Sequence, residues 1–273
     1  MMLKGIDISH WDAGVSLMNL DIDFCIVKAT QGINWRDTEY VNHARQCLDA
    51  GMLWGVYHFA NGDDPEAEAD WFHDQVRPYI GIDNPPIPVL DFEIELETPV
   101  SWCERFITRY HELTGLWPLL YISASLCHMF TGSFIVDVCE LWVAGYPTNL
   151  GTWDHRKCPY DVTPWPRCAI WQFTSRLYIW GYDHALDGNL CYIDNNEWLR
   201  LAGGADMPLS DDDIKRIADA VWAKVLANSR GNKSAGNLLS WAESYSQDMQ
   251  PWMAETLKRV KIIQEKVTDD ARD

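Results

Sequence analysis

The chain has 273 residues, 40 of them acidic and 22 basic, for a formal net charge of −18. That balance argues against nucleic acid or anionic lipid as the main partner. No run approaches the roughly 18 uncharged apolar residues that a membrane span needs. The opening, M-M-L-K-G-I-D-I-S-H, lacks a secretory apolar region, so the expectation is a chain held in the cytoplasm and released without a signal peptide.

The first 200 residues alternate short apolar, β-rich runs with helix-like segments. The runs are L-K-G-I-D-I-S (3–9), D-F-C-I-V-K-A-T (23–30), L-W-G-V-Y-H-F (53–59) and I-P-V-L-D-F-E (87–93). They continue with P-L-L-Y-I-S (118–123), E-L-W-V-A-G-Y (140–146), C-A-I-W-Q-F-T (168–174) and H-A-L-D-G-N (184–189). A helix is predicted over 38–51, where apolar residues recur at helical spacing and Gly51 supplies a stop. A second is predicted over 65–76, opened by Pro65. A third is predicted over 101–115, with Ser101 and Glu104 spaced as a capping box and Gly115 as terminator. Residues 146–167 are rich in Pro, Trp and Gly and read as loop. Eight strands with intervening helices predict an α/β fold, an irregular (β/α) barrel of the TIM type, over residues 1–204.

Composition changes after Gly203-Gly204. Residues 205–273 hold 12 acids and 10 bases, which leaves 28 acids and 12 bases, a net −16, in the first 204 residues. This second region reads as a small helical domain. One amphipathic segment spans 209–228, with Ser210 as N-cap, and a linker follows at 229–237. A second segment runs from Leu238 to about Val267, interrupted near Pro251. Its stripe of Met253, Leu257, Val260, Ile263 and Val267 fits either packing on the barrel or self-association into a homo-oligomer.

Polar residues close most of the strand-like runs: Asp7, Lys28, His58, Asp91 with Glu93, Ser123, Gln172 and Asp187. In barrels of this type the C-terminal strand ends form the active face. In an extended strand Asp91 and Glu93 share a face, with Cα atoms about 6–7 Å apart. Carboxylates that close raise each other's cost of ionising. A salt-bridged strand end is the simplest account of one D-x-E. Four carboxylates at one cleft mouth fit glycoside hydrolysis better, because one acid must protonate the leaving oxygen while another group stabilises or attacks the anomeric centre. Fifteen tryptophans, 12 of them before residue 205, suit a cleft that stacks sugar rings.

Neither a metal nor another cofactor is expected. The eight cysteines form no C-x-x-C pair and several sit in apolar runs, as reduced buried residues do. The eight histidines are scattered, which disfavours a metal-dependent polysaccharide deacetylase. A non-catalytic sugar-binding barrel is the other alternative, and the presence of Glu93 weighs against it.

G-I-D-I-S (5–9), I-V-K-A-T-Q-G (26–32), G-V-Y-H-F-A (55–60) and P-V-L-D-F-E (88–93) are followed by L-Y-I-S (120–123), L-W-V-A-G-Y (141–146), I-W-Q-F-T-S (170–175) and L-D-G-N (186–189). In this order and spacing they resemble glycoside hydrolase family 25, the lysozymes that cleave between N-acetylmuramic acid and N-acetylglucosamine. The resemblance covers residues 3–200. It implies that Glu93 is the proton donor, that Asp91 stabilises charge or orients the substrate's N-acetyl group, and that Asp7 and Asp187 complete an acidic cluster. It further implies that Tyr57, Tyr121, Lys28, Trp142 and Gln172 contact substrate or support the groove. Asp194, in I-D-N-N (193–196), is the alternative to Asp187. Gln31 departs from the glutamate common in the family. The resemblance implies bacterial peptidoglycan as the partner and, with the missing secretory region, a phage endolysin held in the host cytoplasm until lysis.

Overall fold

The computed structural model describes residues 2–154 and 156–203. The expected helical region at 205–273 lies outside the described residues.

Nine strands form one sheet: β1 Leu3–Ile8, β2 Phe24–Gln31, β3 Trp35–Arg36, β4 Leu53–Phe59, β5 Ile87–Asp91, β6 Leu119–Ser123, β7 Leu141–Ala144, β8 Ile170–Leu177 and β9 Leu186–Cys191. The order β1-β9-β8-β7-β6-β5-β4-β2 closes through β1–β2 pairing into an eight-stranded barrel, and β3 adds to β2 outside the ring. Closure leaves the ring without an edge strand. All eight apolar runs of the sequence become these barrel strands.

Seven barrel strands run parallel; β9 is antiparallel to both of its neighbours, β1 and β8. This reversal matters for the site. The N-terminal end of β9, where Asp187 sits, lies at the same mouth as the C-terminal ends of the other strands.

The helices are α1 Tyr40–Ala50, α2 Pro65–Val76, α3 Pro99–Thr114, α4 Ile135–Val138 and α5 Asn195–Leu201. Full crossover helices stand only between β2 and β6. The β7–β8 connection holds no helix, and β8 turns directly into β9, so the barrel is irregular. The tight stops at Gly51 and Gly115 are confirmed by left-handed backbone, φ 60° and 74°. The expected start of α3 is corrected. The helix begins at Pro99 with Thr98 as its N-cap, so Ser101 lies inside the first turn. Glu104 instead accepts a hydrogen bond from Ser133 Oγ at 2.8 Å. Proline at the first helical position lacks only an amide that has no intrahelical partner, and it displaced the capping signal.

Side chains alternate between two cores, as strand geometry requires. Outward residues such as Val27, Trp54, Val56, Leu90 and Leu120 pack with the helices. Inward residues Leu3, Phe24, Ile26, Ile87, Val89, Leu119 and Ile170 fill the barrel. A Cβ at Gly5 would lie 2.5 Å from the Phe24 ring, so glycine is what lets that ring cross the interior. The floor is closed by α5, which the sequence did not reveal. Trp198 is fully buried with its ring 5.0 Å from that of Phe24, and its Nε1 donates to Trp54 O at 3.3 Å. Burial of such a side chain contributes about 1.5–3 kcal/mol. With the floor covered and the middle packed, the barrel interior is left to open at the opposite mouth.

Candidate active site

One further step along the inward periodicity places a polar residue above the apolar layer on nearly every strand. Leu3 and Gly5 lead to Asp7, Phe24 and Ile26 to Lys28, Gly55 to Tyr57, Val89 to Asp91, Leu119 to Tyr121, and Ile170 to Gln172. Register ties these positions into a ring: Asp91 lies beside Tyr121, Tyr121 beside Trp142, Gln172 beside Asn189, and Asp7 directly opposite Asp187.

Asp7 is 8% exposed and holds two amide donors on one oxygen, Gln172 Nε2 at 2.8 Å and Asn189 Nδ2 at 2.6 Å. Burial, and then repulsion from Asp187, raises its pKa well above the ordinary carboxylate range, while the two amides act to lower it. Burial raises the Asp187 pKa to about 7, with Asp12 and Glu93 adding to the rise. Asp194 does not compete for this place: it caps α5 at the far end of β9, accepting from Glu197 N at 2.9 Å.

Asp91 differs. It is 7% exposed, and its Oδ1 is buried without a hydrogen-bond partner among the described residues. Burial and then Glu93 raise its pKa well above the usual range, and Lys28 opposes the rise. Glu93 lies two residues past the end of β5 and is exposed. The pair therefore divides into a desolvated carboxylate and an open one. That asymmetry is what two roles in one reaction require.

Lys28 Nζ donates to Gln31 Oε1 at 2.9 Å and stands 4.5 Å from the Phe59 ring centroid, 5.2 Å from that of Trp35 and 5.9 Å from that of Tyr57. Burial lowers its pKa, against the pull of Asp91, Asp37 and Glu93. Gln172, 2% exposed, is a hub. Its Oε1 accepts from Tyr121 Oη at 2.8 Å and from Tyr146 Oη, while its Nε2 serves Asp7. Trp142 is 2% exposed and donates to Asn189 Oδ1 at 2.9 Å, with its ring 4.6 Å from that of Tyr121. It packs and orients its neighbours instead of offering a stacking face. Burial raises the phenol pKa values of Tyr57 and Tyr121, which keeps both as neutral hydroxyls.

Two of the strand-end polar residues do not join the cleft. His58 points outward between Thr30 Oγ1 at 2.8 Å and Glu68 Oε2 at 2.7 Å, with its ring 5.1 Å from that of Phe106. Ser123 pairs with Ser125. Asn189, Tyr146 and Asp12 were missed as site residues. Asn189 was readable as the i+2 neighbour of Asp187 on one strand face, and Tyr146 closed a quoted run. Asp12 carries no such mark. No group of three or more His, Cys, Asp or Glu converges as a metal-ligand set among the described residues.

A sealed barrel whose single mouth carries two carboxylate pairs and neutral tyrosines defines a carboxylate-based glycoside hydrolase. The chain belongs to glycosyl hydrolases family 25, whose family pattern matches residues 6–182. It is 27% identical over 213 residues to an N,O-diacetylmuramidase of Chalaropsis sp, covering 71% of this chain and 96% of that protein. The fold matches the bacterial lysozyme of Streptomyces coelicolor with a TM-score of 0.63 at 24% identity, over 75% of this chain and 98% of that one. It also matches the catalytic domain of endolysin ply40 from bacteriophage P40 of Listeria monocytogenes, with a TM-score of 0.57 at 26% identity, over 74% and 98%.

Proposed function

We propose that this chain is an N-acetylmuramidase that hydrolyses the β-1,4 bond between N-acetylmuramic acid and N-acetylglucosamine in peptidoglycan. The observation that carries the reading is the buried, unpartnered Oδ1 of Asp91 beside the open carboxyl of Glu93. A 2-acetamido N–H is a donor that such an oxygen can accept. Glu93 stands where a leaving oxygen and then a water can reach it.

In this mechanism Glu93 protonates the glycosidic oxygen as the bond breaks. Asp91 accepts the acetamido N–H and so strengthens the acetamido oxygen as an internal nucleophile at the anomeric carbon. Glu93, now ionised, takes a proton from the water that opens the cyclic intermediate. Two displacements give net retention. Asp7 and Asp187, which burial and mutual repulsion keep from ionising together, share negative charge under the developing oxocarbenium ion, which is electrostatic stabilisation in a preorganised site. The 27% identical muramidase supports the bond assignment.

Likeness to a phage endolysin catalytic domain supports a biological setting in host lysis, with the enzyme made in the bacterial cytoplasm and acting once it reaches the wall. Residues 205–273 would then target the wall or join copies.

The test digests purified Gram-positive peptidoglycan with the natural chain and with Glu93→Gln, followed by reducing-end analysis, mass spectrometry and product NMR. New reducing N-acetylmuramic acid as the β-anomer, lost in the variant, is the expected result. The kcat should fall about 10²–10⁴-fold, the span of one general acid. New reducing N-acetylglucosamine would overturn the bond assignment, and an α-anomeric first product would overturn retention. Wall binding without new ends would return the chain to the sugar-binding alternative.

A further inference from the structure

The mechanism uses none of the eight cysteines. Seven of them are buried; Cys158 is half-buried, between exposed Lys157 and Pro159. It lies in the long β7–β8 connection. There its thiol meets the thiol of the buried Cys168, two residues before β8 begins.

Separate elements hold the two stretches together. Tyr192, just past β9, reaches both: its amide donates to Ala169 O at 2.8 Å and its hydroxyl to Arg156 O at 3.5 Å. The same hydroxyl accepts from the Cys158 amide. Ala169 N donates to Leu141 O at 2.8 Å, which fixes the Cys168 end against β7. Beyond Cys158, the Tyr160 ring covers Gly145, where a Cβ would lie 2.3 Å from it, and stands 6.5 Å from the Trp171 ring. The thiol contact is therefore built by the packing around it, not left to a loose loop.

The two sulfurs are not equivalent. The hydrogen bond from Cys168 brings the Cys158 pKa down to about 7; burial opposes it, and a bond from Tyr160 N adds to it. Donating that bond, together with burial, pushes the Cys168 thiol up. The thiolate is the nucleophile, and exchange is fastest when its pKa lies near the ambient pH. An accessible low-pKa thiol beside a second cysteine is the arrangement of a redox-sensitive pair. Cys25 and Cys47 also meet thiol to thiol, but both are fully buried and burial raises the Cys25 pKa well above its ordinary value. Cys127 stands near Cys158, yet it is buried and pushed up to about 11. Neither offers a reachable thiolate.

We propose that Cys158 and Cys168 form a reversible disulfide by exchange with a low-molecular-weight disulfide, and that the bridge staples the β7–β8 connection to the foot of β8. The Cys158 thiolate attacks one sulfur of the small disulfide, forms a mixed disulfide and expels the other half as a thiolate. Cys168 then loses its proton to solvent, and its sulfur attacks that of Cys158 and expels the second small thiolate. Two protein thiols are oxidised and one small disulfide is reduced to two thiols. A reducing compartment keeps the pair as thiols, and an oxidising one closes it. The stapled connection serves the active mouth, because Tyr146 at its start donates to Gln172, four residues beyond Cys168. The proposal holds whichever glycosidic bond the enzyme cleaves.

The test uses the full chain, reduced, freed of reductant and then incubated with oxidised glutathione. Intact mass and peptide mapping identify the linked residues, and thermal melts compare the oxidised and reduced forms. One intramolecular bridge between Cys158 and Cys168 is expected. The melting temperature should rise by about 5 °C, and dithiothreitol should reverse both changes. Cys158→Ser should take up neither bridge nor glutathione. Cys168→Ser should stop at one glutathionyl group on Cys158, and Cys168→Ala repeats that test without a buried hydroxyl. Cys127→Ala should still form the bridge. Circular dichroism checks each fold before oxidant is added. No disulfide, a bridge from Cys158 to Cys127, a bridge between chains, or a glutathione adduct that persists in the natural chain would overturn the pair. Oxidation of Cys25 and Cys47 in its place would do the same. A bridge that leaves the melting temperature unchanged would overturn the staple.

Discussion

The two walls of the cleft hold similar carboxylates in opposite states of satisfaction. On the β1–β9 wall, Asp7 has both of its amide donors on Oδ2 and sits directly across from Asp187. On the β5 wall, Asp91 is as deeply buried, yet its Oδ1 has no hydrogen-bond partner among the described residues. A buried acceptor left unmade costs about 1–3 kcal/mol. The β5 wall therefore carries a cost that substrate can relieve, whereas on the β1–β9 wall Asp7 Oδ2 holds both of its donors before substrate arrives. Reactivity should follow the unfinished wall and field strength the finished one.

The sharpest way to break this contrast is Asp91→Asn. The amide keeps the shape but cannot strengthen an acetamido oxygen by accepting its N–H as a charged group does. A fall in kcat of about 10²-fold or more is expected, on the scale of losing one preorganised electrostatic contact, with little change in KM. Stability should rise, because a carboxylate whose pKa burial and then Glu93 raise has been removed. Steady-state kinetics with a thermal melt checks both. A variant that is active but unstable would mean that Asp91 is structural.

The same contrast shows what the sequence could and could not convey. The barrel was legible because each strand carries its own apolar run, and the inward period of two places Asp7, Lys28, Asp91, Tyr121 and Gln172 on one level. The asymmetry of Asp91 and Glu93 was not legible. Spacing gave them a shared face, but β5 ends at Asp91, and the chain then carries Glu93 into the open. Asp187 was expected to close its run, and it instead stands at the start of β9. It reaches the mouth because β9 is reversed, and strand direction is set by the short β8–β9 connection, not by any residue type. Trp198, the floor of the barrel, sits on a seven-residue helix after the last strand. So short a segment has too few turns to show a periodic pattern. For Trp142, where spacing alone left substrate contact and support of the groove both open, the buried N–H partner that orients it, Asn189, lies 47 positions away.

On the finished wall, Asp7→Asn should do less harm. An asparagine can turn its carbonyl oxygen toward Gln172 Nε2 and Asn189 Nδ2, so both donors keep an acceptor. Only the charge is lost. The kcat should fall roughly tenfold, equivalent to about 1.4 kcal/mol of transition-state stabilisation. The melting temperature should hold or rise as repulsion with Asp187 disappears. A loss as large as that of Asp91→Asn would erase the distinction between the walls.

The smallest effect concerns pH. The pKa of Asp187 is about 7 in the folded chain, against an ordinary value of 3.8. Between these values the folded state binds more proton than the unfolded state, so stability falls as pH rises. The contribution is fully present below the unfolded value and is lost as pH climbs through the folded one. Asp7, Asp12 and Asp91, also raised by burial, act in the same direction, whereas His43, His58 and His111, lowered by burial, act in the opposite one. Relative to Asp187→Asn, the natural chain should therefore gain melting temperature near pH 5 compared with pH 8. The comparison is read from melts at matched ionic strength. An unchanged slope in Asp187→Asn would show that its proton is held no more tightly in the fold than in the unfolded chain. Any acid-side excess would then belong to the other raised carboxyls, Asp7, Asp12 and Asp91.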